Sequence, residues 1–502
     1  MINKNIISSI LISSYVLIIV IIISGLSSLF AYLNTGAVRS SMLHTKLEKI
    51  EQYIPQLTWS PLNNEGRPMD EGVLNKIEND YLDAWYVKLL AYRSNTTLGI
   101  QDYYTDNALE NILAFIELNT KELVTVQSTT LDHHPTLEFF SEDGQLAVIT
   151  DKDVIEYKRV FKDEKLILET TEKSTYKIIV LLEDGFWRIR HFVKERSERF
   201  INEPNLIAAE HLHIRGINYY PQASPWDMFG DAFLISTISN DFKTIKNSGL
   251  NSVRVFVQYD DFGKADIDKE KLQKLSLTLD AAEENGLKVV VTLFDFYGDY
   301  SVLDWTLNMH HAKTIISELK DHKAIIAWDI KNEPNLDFES RGKVNVTSWL
   351  ANMIDLVRSI DPNHPVTIGW SNVQSASILK DKVDIISFHY YEDINTLDLA
   401  VENLKKEVGD KPIVLQEFGM SSYAGFWKPF GSSEADQANY HKKAQEIIAA
   451  YDLQFMSWTL YDFNAVPKEV VGSLPWRKYV QKQFGFIDIN GTKKSAYQFI
   501  SQ

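Results

Sequence analysis

From His211 to the C-terminus, short apolar runs alternate with amphipathic helical stretches eight times. The runs are Ile214–Tyr219, Ser252–Val257, Lys288–Phe294, Ile325–Ile330, Val366–Trp370, Ile385–Tyr390, Ile413–Gln416 and Phe455–Trp458. Between them, Asp241–Ser248, Lys269–Asn285, Met309–Leu319, Val346–Ile360 and Glu434–Tyr451 carry apolar residues at helical spacing. Eight strand–helix units in residues 211–502 predict a (β/α)8 barrel, an α/β architecture whose C-terminal strand ends carry the chemistry.

The residues before 211 follow other patterns. No charged side chain occurs from Ile6 to Leu33, and about 20 apolar residues span a bilayer. Residues 1–38 therefore read as a retained transmembrane signal anchor, because no clear cleavage site follows. Residues 39–74 read as stalk and linker, with a helical Arg39–Ile54 and then Pro55, Pro61, Gly66 and Pro68. The rest of the chain is expected outside the cell or in the periplasm, with the membrane as a partner.

Residues 75–195 predict a separate α+β domain. Helices over Leu74–Arg93 and Asn107–Asn119 precede strands at Thr136–Phe140, Leu146–Thr150, Val154–Phe161, Leu166–Thr171, Tyr176–Leu182 and Trp187–Val193. Glu142-Asp143-Gly144 and Glu183-Asp184-Gly185 are hairpin turns. This order resembles the nuclear transport factor 2-like (SnoaL-like) cone fold, whose members are often small-molecule enzymes or assembly modules; nothing here nominates an acid/base set, so a spacer or protein-interaction role is expected. His133 and His134 invite a metal reading, but no third ligand stands at metal spacing, so a structural role is expected. Residues 196–210 are a linker.

Two barrel strands end in glutamates. Ala324–Pro334 reads AIIAWDIKNEP and closes on Asn332, Glu333 and Pro334; Lys411–Gly419 reads KPIVLQEFG and closes on Glu417 and Gly419. Proline cannot extend the ladder, and glycine lets the chain turn away. On strands four and seven of a closed barrel the two carboxylates face each other across the mouth. Such a pair, one protonated and one ionised, is the equipment of glycoside hydrolysis. A second Asn-Glu-Pro, at Asn202-Glu203-Pro204, follows the polar run Lys194–Arg199 rather than an apolar strand and is assigned to the linker.

With these motifs the barrel resembles clan A glycoside hydrolases, most of all the family 5 cellulase–mannanase group. The resemblance implies that Glu333 is the acid/base and Glu417 the nucleophile of a retaining mechanism. It implies that Arg254, in Ser252-Val253-Arg254-Val255, supports the nucleophile, and that Asn332, His389, Tyr391 and Trp458 bind substrate or support the site. Family members usually carry a histidine near the end of strand three; here Asp295 or Tyr297 takes that place. Trp226, Trp305, Trp427 and Trp476 fall in expected loops near the mouth, as lids or as sugar platforms.

The net charge of −17 disfavours a nucleic-acid partner. With no cysteine, thiolate chemistry is excluded, and no metal or cofactor is expected. The expected substrate is a neutral polysaccharide of glucan or mannan type. A transglycosylase with the same carboxylates, and a non-catalytic binding or scaffold protein, are the alternatives.

Overall fold

A computed structural model of the chain describes residues 53–200, 206–209, 212–472 and 474–501. The expected anchor over Ile6–Leu33, most of the stalk, and Asn202-Glu203-Pro204 lie outside the described residues. Among the described residues no helix is long and apolar enough to cross a membrane. Two compact units emerge, one of Leu57–Arg199 and one of Phe200–Gln502 with residues 53–56.

In the first unit, helices Glu71–Ser94, Ile100–Tyr103 and Asp106–Lys121 precede four long strands, Val124–Phe140, Leu146–Lys162, Lys165–Glu183 and Phe186–Arg199. The strands pair antiparallel in chain order. The six predicted strands are four, because register shifts at Asp151/Val154 and Thr175/Tyr176 kink a strand without ending it. The start of the first strand escapes the sequence reading because its buried positions include Ser128, Thr129 and Thr130. His133 is fully buried, with Nδ1 2.6 Å from Asp151 Oδ2 and Nε2 2.7 Å from Thr130 Oγ1. Tyr81 donates to the same Asp151 oxygen at 2.6 Å, so this histidine is part of a buried hydrogen-bonded core.

The second unit is a closed, wholly parallel eight-stranded barrel. Its strands one to eight are Arg215–Asn218, Ser252–Gln258, Lys288–Asp295, Ile325–Asn332, Val366–Trp370, Ile386–Tyr390, Ile413–Phe418 and Gln454–Ser457. Strands covered on both faces favour continuous apolar runs such as VVVTLF in strand three.

Side chains alternate across each strand, and this stacks the barrel interior in layers. Val290, Ala327, Val414 and Met456 pack as an apolar floor with Ile214 and Ile385. Two residues further along each of these segments stand Thr292, Asp329, Gln416 and Trp458, all buried. The floor is sealed by burial, worth about 1.5–3 kcal/mol for a fully buried large apolar side chain. The layer above it is more polar, and in it the Thr292 hydroxyl donates to Asp329 Oδ2 at 2.7 Å.

The outer helices bury one stripe each. Lys343–Ile360 buries Val346, Trp349, Leu350, Met353, Ile354 and Val357, a spacing that follows the helical period. Ser433 and Asp436 form a capping box that starts Glu434–Tyr451. The structure adds helix Leu397–Val408 before strand seven, with Leu397, Val401, Leu404 and Val408 buried. Between strands five and six there is only the 3-10 turn Val373–Ser375.

Candidate active site

Glu333 follows the last residue of strand four and Glu417 lies near the end of strand seven. One carboxylate oxygen of each and a ring nitrogen of His389 all lie within 4.8 Å of one another. Glu333 adopts a left-handed backbone, φ 50 and ψ 46, which costs a non-glycine residue about 1–2 kcal/mol. Its N–H holds this turn by donating to the Gly369 carbonyl at 2.7 Å. The strain sits at the residue whose carboxyl enters the cavity.

Each glutamate has its own set of partners. His389 Nδ1 is 2.9 Å from Glu333 Oε1 and 3.9 Å from Glu417 Oε2. Tyr391 donates its hydroxyl to Glu417 Oε1 at 2.6 Å, and Arg254 Nη1 lies 3.5 Å from Glu417 Oε2. Arg254 is itself fully buried. It donates to Asp329 Oδ2 at 2.6 and 3.0 Å, to Asn218 Oδ1 at 3.1 Å, to Thr292 Oγ1 at 3.0 Å and to Asn332 Oδ1 at 3.0 Å. Partners on four other strands thus share one guanidinium, whose planar fork suits such shared, fixed geometry.

Burial lifts Glu417 above the ordinary carboxylate range against the pull of His389, and the charge of Glu333 adds to the rise. Burial also pushes Glu333 up, but the hydrogen bond and charge of His389, with the charges of Arg254 and Lys331, outweigh it and leave Glu333 below that range.

Glu333 and Glu417 line a cavity of about 290 Å³. Asn332, Glu333, Tyr391, Glu417 and Trp458 form its floor and walls with Asp295, Tyr220, Trp226 and Phe256, and Phe296, Val470, Val471, Gln481 and Phe484 complete it. Trp458 is buried, stands 5.8 Å from the Trp226 ring, and its Nε1 has no hydrogen-bond partner among the described residues. A buried donor without a partner is costly, and in a cavity wall it is available to a ligand. Glu333, Glu417 and His389 could also ligate a metal ion, since their donor atoms converge.

Of the four loop tryptophans, only Trp226 lines the cavity. Trp305 opens helix Trp305–Leu319 and is fully buried, so it is core rather than lid. Trp427 and Trp476 are partly exposed and outside the cavity lining.

Sequence reasoning passes over two groups here, Asp329 and Lys331. Asp329 sits in mid-strand as the main partner of Arg254, although the two are distant in the chain. Lys331 is buried beside Asp337, at 3.5 Å. Asp295, in the place the family gives to a histidine, is buried in the cavity wall, and burial pushes its carboxyl up to about 6 against the pull of Lys331 and Arg254. Tyr297 instead packs flat on Trp349 and donates to Asn308 at 2.7 Å, outside the cavity lining.

Residues 214–465 match the sequence profile of the cellulase family, glycosyl hydrolase family 5. The chain belongs to that family. Among curated proteins it is similar to β-glucuronidase of Homo sapiens, 27% identical over 190 residues, which are 33% of this chain and 28% of that protein. It is also similar to mannan endo-1,4-β-mannosidase F of Aspergillus clavatus, 26% identical over 149 residues, 26% of this chain and 34% of that one. The chain thus spans about a third of the length of these relatives. A solved exo-β-1,4-mannosidase of Opitutaceae bacterium strain TAV5 aligns at a TM-score of 0.48 with 20% identity, covering 58% of each chain.

Proposed function

We propose that this family 5 member is a retaining glycoside hydrolase that cleaves β-linked neutral glycans by double displacement. The approach of a Glu333 oxygen to within 4.8 Å of a Glu417 oxygen, which leaves little room for a water between them, carries this reading. Retaining enzymes hold their pair about 5–5.5 Å apart, whereas inverting ones leave about 6.5–9.5 Å for a water. Glu417, between the Tyr391 hydroxyl and Arg254, attacks the anomeric carbon. Glu333 protonates the leaving oxygen and later removes a proton from the incoming water. The first displacement needs Glu333 protonated and Glu417 ionised, and His389 Nδ1 lies beside both carboxylates. Asn332 and Trp458 offer an amide and an indole N–H to sugar hydroxyls.

The sugar is read as neutral because Asp295 adds a third carboxyl to the cavity wall. The α+β unit, with the helix-then-sheet order of nuclear transport factor 2-like domains, is read as a spacer or a protein-binding module. The uncharged Ile6–Leu33 segment holds the chain at a membrane with the barrel outside. Carbonate extraction of membranes and protease treatment of spheroplasts test that placement: a soluble product or a protected barrel overturns it.

The decisive test is kinetic. Glu417→Gln should abolish turnover of every glycoside. Glu333→Ala should spare aryl glycosides with good leaving groups, and azide should rescue it as the β-glycosyl azide. Near-normal activity in Glu417→Gln, or first release of the α-anomer from a β-glycoside, removes the assignment.

A further inference from the structure

We propose that the loop after strand seven, residues 419–433, is a binding platform for glycan units beyond the sugar held in the cavity. The proposal rests on the glycosidase reading above and adds to it that the substrate is a polymer engaged over several sugars.

The loop is unusual in what it leaves in solvent. Phe426 is 85% exposed, Phe430 99% and Trp427 42%. Gly425 and Lys428 exchange backbone hydrogen bonds at 3.2 and 2.9 Å, so Phe426 and Trp427 form the tip of a two-residue turn. Their rings meet edge to face at 5.0 Å.

The base of the loop is fixed. Ser422 N–H donates to the Gln483 carbonyl at 2.9 Å, and the Ser421 hydroxyl to the Val480 carbonyl at 2.7 Å. Lys494 donates to Ser422 Oγ at 2.9 Å while paired with buried Asp462 at 2.7 Å. Tyr423 stacks on Tyr479 at 5.4 Å. A side chain on Gly431 would meet the Tyr423 carbonyl at 1.9 Å, so only glycine closes the loop there.

Continuity with the cavity names the occupant. The same segment that holds the loop's base puts Gln481 and Phe484 into the cavity wall, and Phe484 meets Tyr391, the residue that holds Glu417. A glycan that leaves the cavity along this wall runs onto the loop. The apolar C–H face of a pyranose suits an aromatic ring, which offers a broad apolar surface at small cost in side-chain freedom. Three side chains on one loop are too small a patch for a stable interface with a second copy, which needs about 800 Å² from each partner.

The test compares the full wild-type chain with Phe426→Ala/Trp427→Ala and with Phe430→Ala. Substrates are soluble β-1,4-mannan, glucomannan and mixed-linkage β-glucan, set against 4-nitrophenyl β-glycosides of their monosaccharides. The expected result is a fall in the ratio of polymer to aryl-glycoside kcat/KM of roughly tenfold in the double variant, carried by KM. An unchanged ratio overturns the platform and leaves the glycosidase reading standing. An equal loss on both substrates, or a changed oligomeric state by light scattering, also overturns it, in favour of a lid or an interface between copies. A wild-type chain that cleaves no substrate of either kind removes the glycosidase reading and the platform together.

Discussion

His389 Nδ1 lies 2.9 Å from Glu333 Oε1 and 3.9 Å from Glu417 Oε2, so one imidazole touches the proton balance of both carboxylates. It lowers the proton affinity of each. Removing it should raise both.

For His389→Asn the sign follows directly. Glu417 must be ionised to attack, and it already stands above the ordinary carboxylate range because of burial. Without His389 it ionises at higher pH still, so the acidic limb of kcat/KM moves up and activity at mildly acidic pH is lost first. A pH–rate profile on an activated aryl glycoside, which needs little help from an acid, isolates this limb. A limb that stays put, or moves down, refutes the coupling.

Arg254 and Asp329 provide a second prediction, on stability. Both are fully buried and bonded at 2.6 Å. Arg254→Met leaves the Asp329 carboxylate with the Thr292 hydroxyl, 2.7 Å away, and the Gly369 N–H, 2.9 Å away, as its remaining partners. Breaking one side of a buried pair costs about 3–5 kcal/mol. Urea unfolding should show such a loss in Arg254→Met. The double variant with Asp329→Asn should lose less than the sum of the single changes, because the orphaned charge is gone.

What the sequence makes legible here depends on how local the cause is. The barrel strands can be read because burial on both faces turns each into an apolar run, and Glu333 and Glu417 stand out as polar ends of such runs. Asp329 cannot be read in that way: its meaning comes from Arg254, two strands away around the barrel. Helix Leu397–Val408 has a thin apolar stripe of four residues amid Asp, Glu and Lys, and is easily passed over. Trp305 and Trp427 carry the same sequence signal, an aromatic in an expected loop, yet one is core and the other is in solvent. Tertiary packing alone separates them.

Gly369 gives a third prediction. Its position on strand five is crowded by its neighbours: a Cβ would stand 2.7 Å from Gln416 Oε1, 2.8 Å from Arg254 Nη2 and 3.3 Å from His389 Nε2. All three side chains are buried and none can swing into solvent. Gly369→Ala should therefore push the polar layer out of register, costing about 1–3 kcal/mol and most of the activity together. Calorimetry and kcat on one preparation check both. A variant as stable and as active as wild type shows that the layer has room to give.

The last prediction concerns Asp295, whose carboxyl burial pushes up to about 6 from an ordinary 3.8. A carboxyl with a raised folded-state pKa holds its proton longer when folded than when unfolded. Between about pH 4 and 6 the folded chain therefore binds more protons, and this group's contribution to stability falls as pH rises through that window. Asp295→Asn should flatten that part of the stability–pH curve. The same change should alter selectivity. Above pH 6 the ionised Asp295 accepts hydrogen bonds from sugar hydroxyls and repels a carboxylate on the sugar. An amide in its place keeps one acceptor oxygen and loses the repulsion. The variant should cleave neutral 4-nitrophenyl β-glycosides less well, while its 4-nitrophenyl β-glucuronide rate rises relative to them at pH 7. If the ratio of the two rates does not move, Asp295 does not face the sugar, and the case for a neutral substrate loses its structural support.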